Sequence, residues 1–162
     1  MQKMMIAAAA ALMVSTATAC AQEAPKAVDH SQDTAWQNQQ VLAIVGLKAA
    51  DGWRTLPKNV RWRRVAGDGT GPHPTATDTV KIHYTGRFVD GTTFDTSVGG
   101  EPAVFPLPAL IEAWQMAVPM AGVGDTIEIA VPADMGYGPA GRGPIPGNAT
   151  LMFTIQLLGI GG

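Results

Sequence analysis

The chain has 162 residues and a formal net charge of −2, long enough for one domain around a single core and without the basic excess that would point to nucleic acid. Hydrophobic residues make up 46% of it and charged residues 15%, a balance that excludes general disorder. Its 19 glycines and 12 prolines crowd the part beyond residue 67, which favours short strands and turns over a helical bundle.

Residues 1–21 read as an export signal. Lys3 precedes an uncharged apolar run over residues 4–14, and Ser15-Thr16-Ala17-Thr18-Ala19 supplies the small residues that signal peptidases accept. The run is shorter than the roughly 20 residues a permanent membrane helix needs, so export is the expected outcome. Cys20 is the single cysteine, which rules out a disulfide within one chain. Two outcomes fit it. Ala17-Thr18-Ala19-Cys20 resembles a lipobox that lacks its usual Leu, and a lipid on Cys20 would tether the protein to a membrane. Ordinary cleavage around Ala19-Cys20-Ala21 would instead leave it soluble.

Residues 22–31 are polar without a hydrophobic period and read as a flexible linker. Over 32–48, within an N-terminal helical segment spanning 32–51, Trp36, Val41, Ile44, Val45 and Lys48 fall near helical spacing. Ser31 or Asp33 is placed to cap this helix, and Gly46 to fray its end. Packing on the domain and pairing with a second chain both remain open for it. Two short strands, residues 52–56 and 60–65, then flank Pro57-Lys58-Asn59. Val80, Ile82 and Tyr84 alternate with Lys81, His83 and Thr85 in a strand with one buried face. Asp90-Gly91 marks a hairpin. Leu110, Ile111 and Trp114 break the period of two and predict a short helix over 108–116 that begins with proline. Ile127, Ile129 and Val131, and then Leu151, Phe153, Ile155 and Leu157, return to alternation. The expected fold class is α+β: an antiparallel twisted sheet wrapped on one short central helix, preceded by a short N-terminal helix.

Several motifs now agree in order and spacing. His83-Tyr84-Thr85-Gly86, Asp90-Gly91-Thr92-Thr93-Phe94-Asp95-Thr96-Ser97 and Phe105-Pro106-Leu107 come first, followed by Leu110-Ile111-Glu112-Ala113-Trp114. Gly122-Val123-Gly124-Asp125, Val131-Pro132, Tyr137-Gly138, Ile145-Pro146 and Asn148-Ala149-Thr150-Leu151-Met152-Phe153 complete the series. Together, over about residues 52–160, they resemble the FKBP-type peptidyl-prolyl cis-trans isomerases. The preceding short helix also resembles bacterial secreted members of the macrophage-infectivity-potentiator type, though without their long dimerising helix. The resemblance implies an isomerase domain over 52–162 and a rotamase activity on proline-containing polypeptides, unfolded or folding. It also implies sensitivity to macrolides of the tacrolimus type, and it calls for no cofactor.

Six of the ten aromatic residues fall on the family's pocket positions: Tyr84, Phe94, Phe105, Trp114, Tyr137 and Phe153. By resemblance Trp114 floors the pocket, Tyr84, Phe94 and Phe153 wall it, and Leu110 and Ile111 close one side. The Ile111 N–H and the Tyr137 hydroxyl are implied donors to substrate, Asp95 an edge carboxylate that polarises the imide or positions Tyr84, and Ile145 part of the covering loop. The residue types suit the chemistry, because rotating an amide needs neither nucleophile nor base. The same groove would also serve a catalytically weak module or chaperone that only holds proline segments. Three departures bear on that choice. The loop between Tyr137 and Leu151 is about one residue short, with Gly147 where a second proline is common; Arg142 takes the place of a frequent ligand contact; Ala113 replaces a glycine.

Other features lead elsewhere. Arg61 and Arg63 share one strand face, Trp62 and Arg64 the other, as at a solvated edge. The glycines of residues 67–71 lack the Lys-Ser/Thr of a phosphate loop, and His30, His73 and His83 lack ligand spacing, so no metal site is expected.

Overall fold

The computed structural model describes residues 27–161; residues 1–21, read above as an export signal, and Cys20 lie outside the described residues. Helix α1, Thr34–Val45, starts where Asp33 accepts the Trp36 N–H at 2.9 Å and closes where the Gly46 N–H reaches the Leu42 carbonyl. A side-chain acceptor at this position satisfies one of the orphan amides of the first turn. The helix packs on the domain. Ile44 is buried with Trp53 and Ala130 on the outer face of the sheet, and Trp36 lies against the main core. Val41 and Val45, read as part of the apolar stripe, are exposed, and Gln40 is buried in their stead.

Strands β1, Arg54–Thr55, and β2, Arg61–Ala66, pair antiparallel across a tight turn in which Lys58 and Asn59 take left-handed backbone. Strands β3 (Thr79–Phe88), β4 (Thr93–Thr96), β5 (Ala103–Pro106), β6 (Thr126–Val131) and β7 (Leu151–Ile160) complete an antiparallel sheet. The order is β1-β2-β6-β7-β3-β4, with β5 taking the other half of the β3 edge. Helix α2, Glu112–Ala117, lies on the inner face, where Ala113, Trp114 and Ala117 join the alternating residues of β3, β6 and β7 in one core.

Two expectations need correction. The central helix does not begin at Pro108. Residues Leu107–Ala109 form a single 3₁₀ turn, after which Leu110 and Ile111 are extended, at ψ 168° and 148°, and the α-helix starts at Glu112. Proline's fixed φ suits the first turn of either helix type, so the sequence did not show that the chain opens out between them. Strand β2 is also an edge over only part of its length, since β1 covers it at Arg61 and Trp62 and leaves residues 63–66 uncovered on that side. It lies between β1 and β6, buries Trp62 in the core, and pairs Arg63 with Glu128 and Arg64 with Asp125 at 2.6 and 2.9 Å. Alternation told which residues share a face, but only the pairing of strands places a strand within a sheet.

Candidate active site

The inner face of β3, β4 and β7 meets α2 in a cluster of rings. Tyr84 and Phe153 each stand nearly perpendicular to Trp114, with centroids 5.7 and 5.2 Å away. Phe105 meets Tyr84 at 6.0 Å, and Phe94 meets Phe153 edge-on at 5.7 Å. Edge-to-face packing sets the positive rim of one ring against the negative face of the next, about 0.5–1.5 kcal/mol per pair beyond burial. Trp114 is 5% exposed, and its indole N–H is buried without a partner among the described residues. The cluster thus keeps an unpaired donor at Trp114.

Phe94 and Asp95 are neighbours in a strand, yet both serve this cluster. The register of β3 against β4 slips between Gly86, opposite Asp95, and Arg87, opposite Thr93, leaving Phe94 as an extra residue. Such a bulge re-aims a side chain that strict alternation would turn away. Gly86 makes room for the ring: a Cβ there would lie 2.6 Å from Phe94 Cζ and 3.0 Å from Phe153 Cε1. Phe88, one turn of the hairpin away, backs Phe94 at 4.9 Å. Neither Gly86 nor Phe88 stood out as functional in the sequence; the glycine sits inside the Tyr84 motif but carries no chemistry to flag it.

Asp95 is buried at 7% exposure, and its Oδ2 accepts the Tyr84 hydroxyl at 2.6 Å. A hydrogen bond to a charged group contributes about 1.5–3 kcal/mol, enough to hold both side chains in one geometry. Burial, and then this carboxylate, push the Tyr84 phenol far above its ordinary value. Burial also raises the Tyr137 phenol, with Asp95 adding to it and the Arg142 guanidinium, 5.9 Å over the ring, opposing it. Both hydroxyls are therefore neutral donors near neutral pH. The Tyr137 hydroxyl has no hydrogen-bond partner among the described residues, and neither has the Ile111 N–H, freed by the extended backbone ahead of α2. Leu110 is buried beside them in the same core, with Ile111 and Tyr137 partly covered.

Ile145 is buried too, on a loop over residues 136–150 that folds back on itself. Arg142 and Ile145 exchange backbone hydrogen bonds, and the Asn148 N–H closes the base on the Gly138 carbonyl. The fold of this loop explains Gly147. A Cβ there would meet the Pro139 carbonyl oxygen at 2.0 Å, so nothing larger than glycine fits without moving backbone. Ala113, by contrast, is fully buried on α2 and accommodated.

The family model for FKBP-type peptidyl-prolyl cis-trans isomerases matches residues 71–158. An FKBP-type isomerase named FkpA from Aeromonas hydrophila is 50% identical over 93 residues, covering 57% of this chain and 35% of its own length. An FKBP-type 22 kDa isomerase from Escherichia coli is 37% identical over 144 residues, covering 81% of this chain and 68% of its own. The chain thus spans about a third of the first relative and about two thirds of the second. Among solved structures, a peptidyl-prolyl cis-trans isomerase from Pseudomonas syringae superposes with a TM-score of 0.73 at 28% identity, covering 85% of this chain and all of that one.

Proposed function

Because the chain belongs to the family of FKBP-type peptidyl-prolyl cis-trans isomerases, we propose that it accelerates rotation about Xaa-Pro bonds in other polypeptides. The barrier of about 18–20 kcal/mol is the lost resonance of the C–N bond. A site lowers it by binding the twisted amide better than the planar one. Replacing water by apolar walls acts in the same sense, because solvent favours the charge-separated planar amide. The rings of Trp114, Tyr84, Phe94, Phe105 and Phe153 offer such walls to a pyrrolidine. The Ile111 N–H and the Tyr137 hydroxyl, without partners among the described residues, would serve as donors for carbonyls on either side of the proline. Asp95, fixed by Tyr84, presents a carboxylate beside the imide.

One observation carries the reading: a buried carboxylate locked to a tyrosine inside a cage of perpendicular rings. Such a group costs free energy that a plain core would avoid. The test is exchange of an Xaa-Pro peptide by the purified protein beside Asp95→Ala. Acceleration by the protein and marked weakening in the variant are expected; binding of the peptide with no acceleration would overturn the proposal.

The substrates under this reading are proline-containing chains in the course of folding, where uncatalysed isomerisation takes tens to hundreds of seconds. Macrolides of the tacrolimus type would compete for the same rings; one relative, from Aspergillus fumigatus, is named an FK506-binding protein. Export is part of the proposal, supported by Lys3, the apolar run of residues 4–14 and the small residues before Cys20. The mass of the mature N-terminus in a bacterial host, with or without a lipid on Cys20, decides both processing and tethering.

A further inference from the structure

Helix α1 reaches the loop that carries Tyr137 and Ile145. Gln40, in the middle of α1, is 4% exposed although its neighbours Val41 and Leu42 face solvent. Its Oε1 accepts the Thr150 N–H at 3.0 Å, and its own carbonyl accepts the Thr150 hydroxyl at 3.0 Å. Thr150, also 4% exposed, is the last residue of the loop before β7. Two residues earlier the Asn148 N–H holds Gly138, next to Tyr137. The middle of the loop is held as well. The Ala27 N–H donates to the Gly143 carbonyl at 3.2 Å, and Gln37 on α1 ties the carbonyls of His30 and Ser31 back to the helix. Residues 27–31, part of the segment read as a linker, thus lie along this loop.

From these contacts we infer that Gln40 is a positioning residue for the isomerase site, setting through Thr150 the place of Tyr137 and Ile145 over the bound peptide. The inference rests on the isomerase reading. The loop closes on itself at Gly147, where a Cβ would meet the Pro139 carbonyl oxygen at 2.0 Å, so it has little internal slack. A displacement of its Thr150 end is therefore passed to Gly138 through Asn148. This pair of bonds, both donated by Thr150 and both accepted by Gln40, is also specific to α1. A helix elsewhere, or a hydrophobic residue at position 40, would leave the buried Thr150 N–H without an acceptor, a cost proteins ordinarily avoid.

The test compares Gln40→Met, Thr150→Val and the conservative Thr150→Ser in the full chain. Assays run at a temperature where thermal melts show all four proteins folded. Gln40→Met and Thr150→Val are expected to raise KM for an Xaa-Pro peptide about five-fold or more while kcat stays within about two-fold, the signature of lost binding common to ground and transition states. Amide exchange over residues 138–150 should quicken in both, and Thr150→Ser should match the unaltered protein in every readout. Lower melting temperatures with unchanged KM and kcat would overturn the inference and leave Gln40 a purely structural residue. So would unchanged amide exchange. If the unaltered protein does not accelerate exchange, the isomerase reading fails by itself. Gln40 is then judged by calorimetric affinity for the same peptide and by loop exchange, and equal affinity in all four proteins refutes its role.

Discussion

Gly86→Ala adds one methyl group to the middle of β3, where the backbone is ordinary extended strand and any L-residue fits locally. The difficulty lies in the neighbours. The new Cβ would stand 2.6 and 2.7 Å from Phe94 Cζ and Cε2 and 3.0 Å from Phe153 Cε1. Carbon atoms settle at about 3.5–4.0 Å, so the Phe94 ring must withdraw by about 1 Å. It is backed by Phe88 at 4.9 Å and edged by Phe153 at 5.7 Å, so it cannot withdraw without shifting one of them. Overpacking of this kind costs about 1–3 kcal/mol, against which the stiffer unfolded chain returns about 0.4–1 kcal/mol. The net loss is about 1–2 kcal/mol, and the melting temperature should fall by several degrees. If the displaced rings wall the proline site, a like amount of transition-state binding goes with them, about 5–30-fold in kcat/KM. Gly91→Ala is the control. At φ 88° and with open space around the Cβ, it strains the hairpin but touches no ring. Both variants should melt earlier in a thermal scan, and only Gly86→Ala should lose activity on an Xaa-Pro peptide. Wild-type kcat/KM in Gly86→Ala, or equal losses in both variants, would refute the argument that these two rings shape the site.

Other substitutions test the remaining parts. Tyr84→Phe removes the donor to Asp95 and leaves a buried carboxylate unpaired, which should cost about 1.5–3 kcal/mol in denaturant unfolding. Adding Asp95→Ala to it should cost less than the sum of the two single changes. Asp125 contributes to acid stability. Burial works to raise its carboxyl, but the amides of Gly122 and Gly69 and the Arg64 guanidinium outweigh that and hold it below 3.8. A carboxyl depressed in the fold supports it above the unfolded value and loses that support as pH falls toward the folded one. Stability should therefore drop on acidification below about pH 4, and Asp125→Asn should be weaker at neutral pH with a flatter acid limb. Gly147→Ala presses a methyl group onto the Pro139 backbone; peptide exchange should slow and loop amides exchange faster, and an unchanged loop would show that the close approach of Pro139 does not demand glycine.

Most of the sheet could be read in advance because alternation is a local property. Val80, Ile82 and Tyr84, and the apolar residues of β6 and β7, announce their shared face by spacing alone. The ring cluster was legible for a different reason: its members sit in motifs whose order and spacing are themselves specific, and the structure brings Tyr84, Phe94, Phe105, Trp114 and Phe153 together as those motifs imply. What was not legible depends on residues far apart in the chain. Gln40 in a glutamine-rich helix has no spacing that points 110 positions ahead to Thr150. Nor does any pattern reveal that a slipped register turns Phe94 and Asp95 to the same side, or that Gly86 and Gly147 are glycines because other atoms occupy the space. Local periodicity and motif order, then, determined most of the strands, the family and the members of the ring cluster. Strand pairing, close packing and the clasp between α1 and Thr150 were decided only by tertiary structure, since steric exclusion and long-range hydrogen bonds exist only once the chain has closed on itself.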